Sequence, residues 1–377
     1  MLFLTFNYNI IMIHIRLLCV NCPIYWAGKD SSNGNRRVAM KVVVSGVPRG
    51  LQNPRPDGNW LTKEHRCSIE AVSSDIELVE MPQSMVHEIE GEIDGVEVLL
   101  AEGGNRIHYG EELDWVDYLK FFTPSLRWVM LCSTGFTQNI TPEITRGEVV
   151  LTNSPDVHTI PIAESVLAAM LDHAKLFKQR REDQLDRLWT QRMCTELHGG
   201  TVLLIGLGNI GRRVAHLSKA FGMKVIGTKK RVEPVENVDN VFPVKELTEH
   251  LPKADYVVVA APITPFTEGL LGEREFAAMK ETSYLINVGR GRIVDESALI
   301  RALKEGSIGG AYLDCHVIEP LPPDHLFWSM ENIFVIPHDS HSSPFIGDRI
   351  VDIFIDNLSR FVTGEPLQNV CDPKRGY

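Results

Sequence analysis

Short apolar runs punctuate the chain and alternate with stretches of helical periodicity. From 41 to about 152, KVVVSG (41–46), GVEVLL (95–100), LRWVMLC (126–132) and EVVLTN (148–153) read as buried parallel strands, being near-continuous apolar runs. From 201 to 337 the alternation is more regular. TVLLIG (201–206), KVIGT (224–228), DYVVVAA (255–261), SYLINVG (283–289), GAYLDC (310–315) and IFVIP (333–337) are predicted strands. Helical stretches such as 209–221, 273–280 and 296–304 lie between most of them. Strand–helix alternation predicts an α/β fold with parallel, doubly wound sheets and right-handed crossovers.

Two further stretches have helical spacing. IPIAESVLAAMLDHAKLFKQR, within 160–182, is apolar over more than one face and is expected to be one long helix buried between domains or subunits. DRIVDIFIDNLSRFVTG (348–364) spaces Ile350, Ile353, Phe354, Leu358 and Phe361 at helical intervals, with Gly364 placed to cap it. This helix is expected to return to the first domain and make it discontinuous. Residues 1–39 look different. Asn7, Asn9, His14 and Arg16 interrupt the apolar residues 2–20, where a membrane span wants about 20 cleaner positions. The segment lacks the basic start of a secretory signal. Its Arg16, Lys29, Arg36 and Arg37 against a single acid, Asp30, leave organellar import as an alternative. The preferred reading is an extension outside the core, ahead of the strand that starts at Met40.

Composition narrows the function classes. A chain of 377 residues has room for two domains with their own cores. Its 38 Lys+Arg against 49 Asp+Glu give a net charge of −11, which argues against a nucleic-acid binder. Seven scattered cysteines do not form a disulfide framework, so a reducing compartment, the cytoplasm, is expected. Cys19 and Cys22 form a CxxC with no second pair of ligands at zinc spacing, and no metal is assigned.

Gly206-Leu-Gly208-Asn209-Ile210-Gly211 follows a predicted strand directly and opens a predicted helix. In that context a GxGxxG is a dinucleotide signature. Gly206 permits the tight turn, Gly208 lets a pyrophosphate approach the backbone, and Gly211 lets helix and strand pack closely. The free amides and positive dipole end of the helix then meet the phosphates. Alternatives are a plain strand–helix turn or a methyltransferase-type nucleotide fold. The next strand ends in Lys229-Lys230-Arg231, where an NAD-selective site places a carboxylate for the ribose 2′-hydroxyl. Cations there attract a 2′-phosphate, so NADP(H) is expected over NAD(H). Glu233 is a reserve ribose ligand if the loop folds back.

Three residues after the fingerprint suit a hydride-transfer reaction on a 2-oxo acid. Arg290 follows the strand SYLINVG, Glu319 lies five residues past Asp314, and His338 follows IFVIP. All lie past strand ends, where open α/β sheets bind ligands. A guanidinium can make two parallel hydrogen bonds to a carboxylate and a carbonyl oxygen. An imidazolium can donate a proton near neutral pH, and a carboxylate beside it favours the charged form and orients the ring.

The text AESVLAAML, TVLLIGLGNIG, ADYVVVAAPITPFTEGLLG, MKETSYLINVGRGRIVDESALIRAL, GGAYLDC, EPLPPDHLFW and NIFVIPH resembles the D-isomer-specific 2-hydroxyacid dehydrogenase family, in its glyoxylate/hydroxypyruvate reductase neighbourhood, from about Met40 onwards. The resemblance implies that Arg290, Glu319 and His338 are catalytic, that Asp314 lies near the nicotinamide, and that Thr159 and Pro262 line the cofactor. It implies that Gly103 and Gly104 hold the substrate carboxylate. It also implies two Rossmann-like domains: a discontinuous substrate domain, 40–152 plus 340–377, and a dinucleotide-binding domain, 153–339, with the active site in the cleft and a homodimer formed through the cofactor domain. D stereochemistry is likewise implied by the resemblance alone. Glu319 stands where formate dehydrogenases of the superfamily use glutamine, which disfavours formate as substrate.

The chain departs from the family pattern in two places. Asp314-Cys315-His316-Val317 replaces the common Asp-Val-Phe-Glu, and Asp339-Ser340-His341-Ser342-Ser343 replaces a small, glycine-containing run. Asp339 is placed to influence His338, and His341 is a rival proton donor. His316 is expected to be a packing or surface residue. The main alternative function is a nucleotide-sensing scaffold or corepressor of the same fold, in which dinucleotide binding drives association. The text leaves open which side chain the substrate carries; Tyr118 and Phe136 are candidates to lie near it.

Overall fold

The computed structural model describes residues 39–373 apart from 47, 49–50, 52–58, 83–85, 87–92, 103–105, 109–110, 114 and 137–138. The extension expected at 1–39 lies outside the described residues but for Ala39, and so do Gly103 and Gly104. The chain divides into two compact units, with the divisions after Val157 and after Ser342. Both are built on parallel sheets with helices between the strands, an α/β architecture.

In the first unit, β1 (Met40–Ser45), β2 (Ile76–Met81), β3 (Val96–Ala101), β6 (Trp128–Leu131) and β7 (Val150–Thr152) form a parallel sheet in the order β2-β1-β3-β6-β7. A small antiparallel pair, β4 (Arg106–His108) and β5 (Glu111–Leu113), interrupts the series. Alternate residues feed opposite faces. Val43, Leu99, Val129 and Leu131 join Tyr118 and Phe121 on one face, and Val42, Val44, Val98, Leu100, Trp128 and Met130 lie on the other. With both faces buried, the central strands read as near-continuous apolar runs, interrupted by Lys41 in β1 and Glu97 in β3.

The helix Ile346–Thr363 covers the second face with Ile346, Ile350, Val351, Phe354 and Leu358. Phe354 stacks on the fully buried Trp128 at 5.3 Å between ring centroids, and the indole Nε1 donates to Thr152 Oγ1 at 2.9 Å. The ring thus buries its area without orphaning its one donor. Gly364, at φ 75°, ends the helix in the left-handed conformation that glycine adopts without cost.

The second unit has a parallel sheet of β8 (Thr201–Ile205), β9 (Lys224–Thr228), β10 (Asn240–Phe242), β11 (Tyr256–Val259), β12 (Tyr284–Asn287), β13 (Gly310–Leu313) and β14 (Ile333–Val335), in the order β10-β9-β8-β11-β12-β13-β14. The chain winds outward from β8 to β10, then returns to β11 on the other side of β8. That reversal leaves a crevice beyond the carboxyl ends of β8 and β11, where doubly wound sheets bind ligands. Val202, Leu204 and Val258 pack under the helices Thr159–Lys175 and Asn209–Ala220, while Leu203, Ile205, Val257 and Val259 fill the opposite core.

One expected element is corrected. The helix read through 160–182 is broken at Leu176, which sits at φ 54° and ψ 44° between Thr159–Lys175 and Phe177–Leu185. Neither glycine nor proline marks the break. Thr195 N–H bonds the Ala174 carbonyl at 3.0 Å and Arg180 Nε bonds the Lys175 carbonyl at 2.9 Å, so carbonyls released by the break are satisfied. Among the described residues, no helix is long and apolar enough to cross a membrane.

Candidate active site

The glycine loop joins β8 to the helix Asn209–Ala220. Gly206 is at φ 101°, and a Cβ there would lie 2.9 Å from the Ala260 carbonyl oxygen, on the neighbouring strand connection. A Cβ on Gly211 would lie 2.1 Å from the Gly206 carbonyl oxygen. Both positions therefore admit only glycine. Gly208 differs: nothing lies within 4 Å of its Cβ position, and it caps a twelve-residue helix whose first amides have no intrahelical partner. Asn209 is exposed and Ile210 half-buried at the head of that helix. This is a cradle that a phosphate can fill, so the residues present fit a dinucleotide.

At the end of β9 the Lys229 amide continues the pairing with β10 by donating to Phe242 O at 3.2 Å. The Lys229 ammonium pairs with the Glu233 carboxylate, and Arg231 Nε lies 3.6 Å from the same group. The hydrogen bond and charge of Lys229 hold the Glu233 carboxyl below its ordinary value. Lys230 and Arg231 are exposed. The basic trio is thus gathered at one loop, with a carboxylate folded onto it. Pro262, just past β11, is exposed and accepts from Thr267 Oγ1 at 2.7 Å, and Thr159 is buried at the first position of its helix.

Arg290, Glu319 and His338 follow β12, β13 and β14, on adjacent loops at one sheet edge. His338 Nδ1 is 2.8 Å from Glu319 Oε2. A carboxylate only accepts, so Nδ1 carries the hydrogen. Glu319 Oε1 accepts from the His316 amide at 2.9 Å, so both its oxygens are held. Burial pushes the Glu319 carboxyl up, but the bonds from His338 and the His316 amide outweigh it and leave it below its ordinary value. His338 itself is at φ 53°, in the left-handed region that side chains larger than glycine seldom occupy.

Arg290 is exposed, and its Nη1 donates to the Gly289 carbonyl at 2.7 Å rather than to Glu319 or His338. Its loop nevertheless meets theirs. A Cβ on Gly291 would lie 2.1 Å from the His316 carbonyl carbon.

Asp314 is buried, and burial raises its carboxyl despite two bonds from Ser340, the amide at 3.1 Å and the hydroxyl. The unusual segment after His338 therefore clamps Asp314. His341 is buried there, edge-on to His338 at 6.1 Å and to His158 at 5.3 Å between ring centroids, while Asp339 is exposed. Asp314, Cys315 and His338 also bring a carboxylate oxygen, a thiol and an imidazole nitrogen within 4.8 Å of one another. Each already has a protein partner: Ser340, the Gly289 carbonyl and Glu319 respectively.

Two organising residues escaped the sequence reading. Asn287 is buried at the end of β12, donates to Arg290 O at 3.1 Å and accepts from Gly289 N at 3.1 Å, so it shapes the arginine loop. A polar residue closing an otherwise apolar strand is the signal that could have found it. Ser340 had no such signal, because its partner Asp314 is 26 residues away.

Residues 167–340 match the family described as D-isomer specific 2-hydroxyacid dehydrogenase, NAD binding domain. The chain is 32% identical over 295 residues to a glyoxylate reductase of Thermococcus gammatolerans, covering 76% of this chain and 85% of the relative. Its structure is similar to that of a D-isomer specific 2-hydroxyacid dehydrogenase family protein from Aeromonas salmonicida subsp. salmonicida, with TM-score 0.72, 27% identity, and coverage of 89% and 99% of the two chains. A D-isomer specific 2-hydroxyacid dehydrogenase from Xanthobacter autotrophicus, in complex with NADPH and MES, matches with TM-score 0.72, 26% identity, and coverage of 90% and 100%.

Proposed function

From the premise that this chain belongs to the D-isomer specific 2-hydroxyacid dehydrogenase family, as an NAD(P)-dependent oxidoreductase, we propose that it reduces small 2-oxo acids of the glyoxylate and hydroxypyruvate type through Arg290, Glu319 and His338. The nicotinamide, when bound, supplies the hydride. Gly206, Gly208, Asn209, Ile210 and Gly211 would hold its pyrophosphate, Thr159 and Pro262 would line the cofactor, and Asp314 would lie near the nicotinamide. Arg290 turns from the Gly289 carbonyl to grip the substrate carboxylate and polarise the oxo group. His338, oriented by Glu319 through Nδ1, presents Nε2 and protonates the oxygen as it gains charge. Oxidation reverses these steps. The D hand of the product follows the family.

The observation that carries this reading is the 2.8 Å bond between His338 Nδ1 and Glu319 Oε2 at the sheet edge that also carries Arg290. In this reading 153–339 is the dinucleotide-binding domain and 40–152 plus 340–377 the substrate domain, bounds supported by the divisions after Val157 and after Ser342. NADP(H) is the preferred cofactor, supported by Lys229, Lys230 and Arg231. The protein is a cytoplasmic homodimer. The reduced cysteines Cys67, Cys132, Cys194, Cys315 and Cys371 suit that compartment. Leu185, Leu188, Trp189 and Met193, which are 56–98% exposed on one short segment of the second unit, suit burial against a second copy. A Trp189→Glu variant that still sediments as a dimer counts against this face.

The nucleotide-sensing scaffold alternative is not favoured, since the relatives are reductases and dehydrogenases. The test is a panel of glyoxylate, hydroxypyruvate, pyruvate and bulkier 2-oxo acids with NADPH and with NADH. Turnover that Arg290→Ala abolishes supports the reading. Turnover never above background with any acid overturns it.

A further inference from the structure

His316 stands where an apolar residue would be expected, yet it touches all three loops of the site. Its amide holds Glu319 Oε1 at 2.9 Å, opposite the oxygen that holds His338. Its ring Nε2 lies 3.0 Å from the carbonyl oxygen of Ile336, two residues before His338. A carbonyl only accepts, so Nε2 carries the hydrogen. Nδ1 is then a bare acceptor, buried and without a hydrogen-bond partner among the described residues. The loop after Arg290 lies directly on the His316 backbone, because a Cβ on Gly291 would come within 2.2 Å of the His316 carbonyl oxygen. His316 as a whole is 8% exposed. A leucine would fill such a space without orphaning a nitrogen, so the Ile336 bond is what the imidazole offers in return.

We infer that His316 is a positioning residue: its ring fixes the Ile336–His338 segment while its amide fixes Glu319, and so it sets the geometry of the acid–base pair. This inference rests on the roles proposed above for Glu319 and His338. The left-handed backbone of His338 needs such a hold, because a strained conformation persists only where its surroundings over-determine it. When the ring anchor is lost, Ile336 can shift, the strain at His338 relaxes, and the imidazole moves off Glu319. Binding of substrate and cofactor depends on other groups and is spared.

The test compares His316→Leu, which keeps the amide and removes the ring donor, with His316→Gln, whose side-chain amide can reach the Ile336 carbonyl. His316→Leu is expected to lower kcat for 2-oxo acid reduction about tenfold, as small misplacements of catalytic groups do. KM for the 2-oxo acid and for NADPH should change less than about twofold, because the groups that bind them are untouched. His316→Gln should restore most of kcat. ¹⁵N-imidazole NMR of the cofactor-free protein should show the His338 Nδ1 signal displaced in the leucine variant and returned in the glutamine variant. Equal impairment of both variants, a loss confined to KM, or a lowered kcat with an unmoved His338 NMR signal overturns the inference. If His316→Leu does not fold, a folded His316→Gln decides: near-native kcat supports the anchor, and a tenfold loss overturns it. His338→Ala separates the two levels. Full activity in that variant overturns the acid–base assignment and this inference with it. Inactivity there, with an indifferent His316→Leu, overturns this inference alone.

Discussion

Glu319→Gln isolates the charge of the carboxylate paired with His338, because the amide keeps the shape and one acceptor while losing the anion. In the native protein Glu319 Oε2 is 2.8 Å from His338 Nδ1, and the side chains are 38% and 22% exposed. With charge centres about 4 Å apart and an effective dielectric of about 20, the attraction is about 4 kcal/mol. Partial exposure of both groups reduces it to about 1.5–3 kcal/mol, the range for hydrogen bonds to charged partners. Each factor of ten in rate corresponds to about 1.4 kcal/mol, so removing the charge should slow reduction by about tenfold to a hundredfold.

The sign follows from the direction of the Glu319 shift. Its carboxyl lies below the ordinary value in the folded protein, so the coupling is fully present above that ordinary value and is lost as pH falls through the lowered one. Around neutrality the carboxylate is charged and orients the imidazole through Nδ1. In Glu319→Gln the loss in kcat/KM for reduction should therefore be largest at and above neutral pH, where the native protein has the full coupling. Rates near pH 8 should fall about tenfold to a hundredfold, and rates at the acid end should approach those of the native enzyme. The assay is the pH profile of nicotinamide absorbance loss with a fixed 2-oxo acid. A profile superimposable on the native one, or a uniform loss at every pH, would refute the reasoning.

Four further outcomes are expected. Arg290→Ala should lower kcat/KM for 2-oxo acids by about a hundredfold or more, since it removes a charge-assisted carboxylate contact of about 2–5 kcal/mol, while NADPH affinity by fluorescence titration stays unchanged. Glu233→Gln should release Lys229 and Arg231 and lower KM for NADPH several-fold without changing KM for NADH; an equal effect on both would detach this loop from the 2′-phosphate. Gly211→Ala should abolish dinucleotide binding and lower the melting temperature, because the added methyl would lie 2.1 Å from the Gly206 carbonyl oxygen; a native-like Tm would contradict that geometry. Phe354→Ala should cost about 3–5 kcal/mol in denaturant unfolding of the first unit, since its ring is fully buried against Trp128.

The strands that announced themselves in the sequence are those covered on both faces, such as β3, β8, β11 and β12, where burial demands a continuous apolar run. β2 and β10 went unread, and both are edge strands. β2 carries Glu77 and Glu80 among its apolar residues, and β10 is three residues long and begins with an exposed asparagine. An edge strand has a neighbour on one side only and needs no such run. The break at Leu176 was hidden for a different reason: a leucine in the left-handed conformation has no local signature, and the groups that compensate it come from Arg180 and Thr195. At the site, residue types and strand ends were enough to nominate Arg290, Glu319 and His338. The contacts that organise them were not legible. His316 to Ile336, Ser340 to Asp314 and Gly291 to His316 each join loops 20 or more residues apart, and only folding reveals such pairs.

Transfer of label from the cofactor to the product reads out the proposed hydride step itself. With NADPH deuterated at the reactive C4 position and hydroxypyruvate as substrate, mass spectrometry and chiral separation follow the fate of the deuterium in a single turnover. The expected result is one deuterium on C2 of the D-2-hydroxy acid, formed by the native enzyme and not by His338→Ala. Unlabelled product, or labelled product formed equally well by His338→Ala, would contradict it.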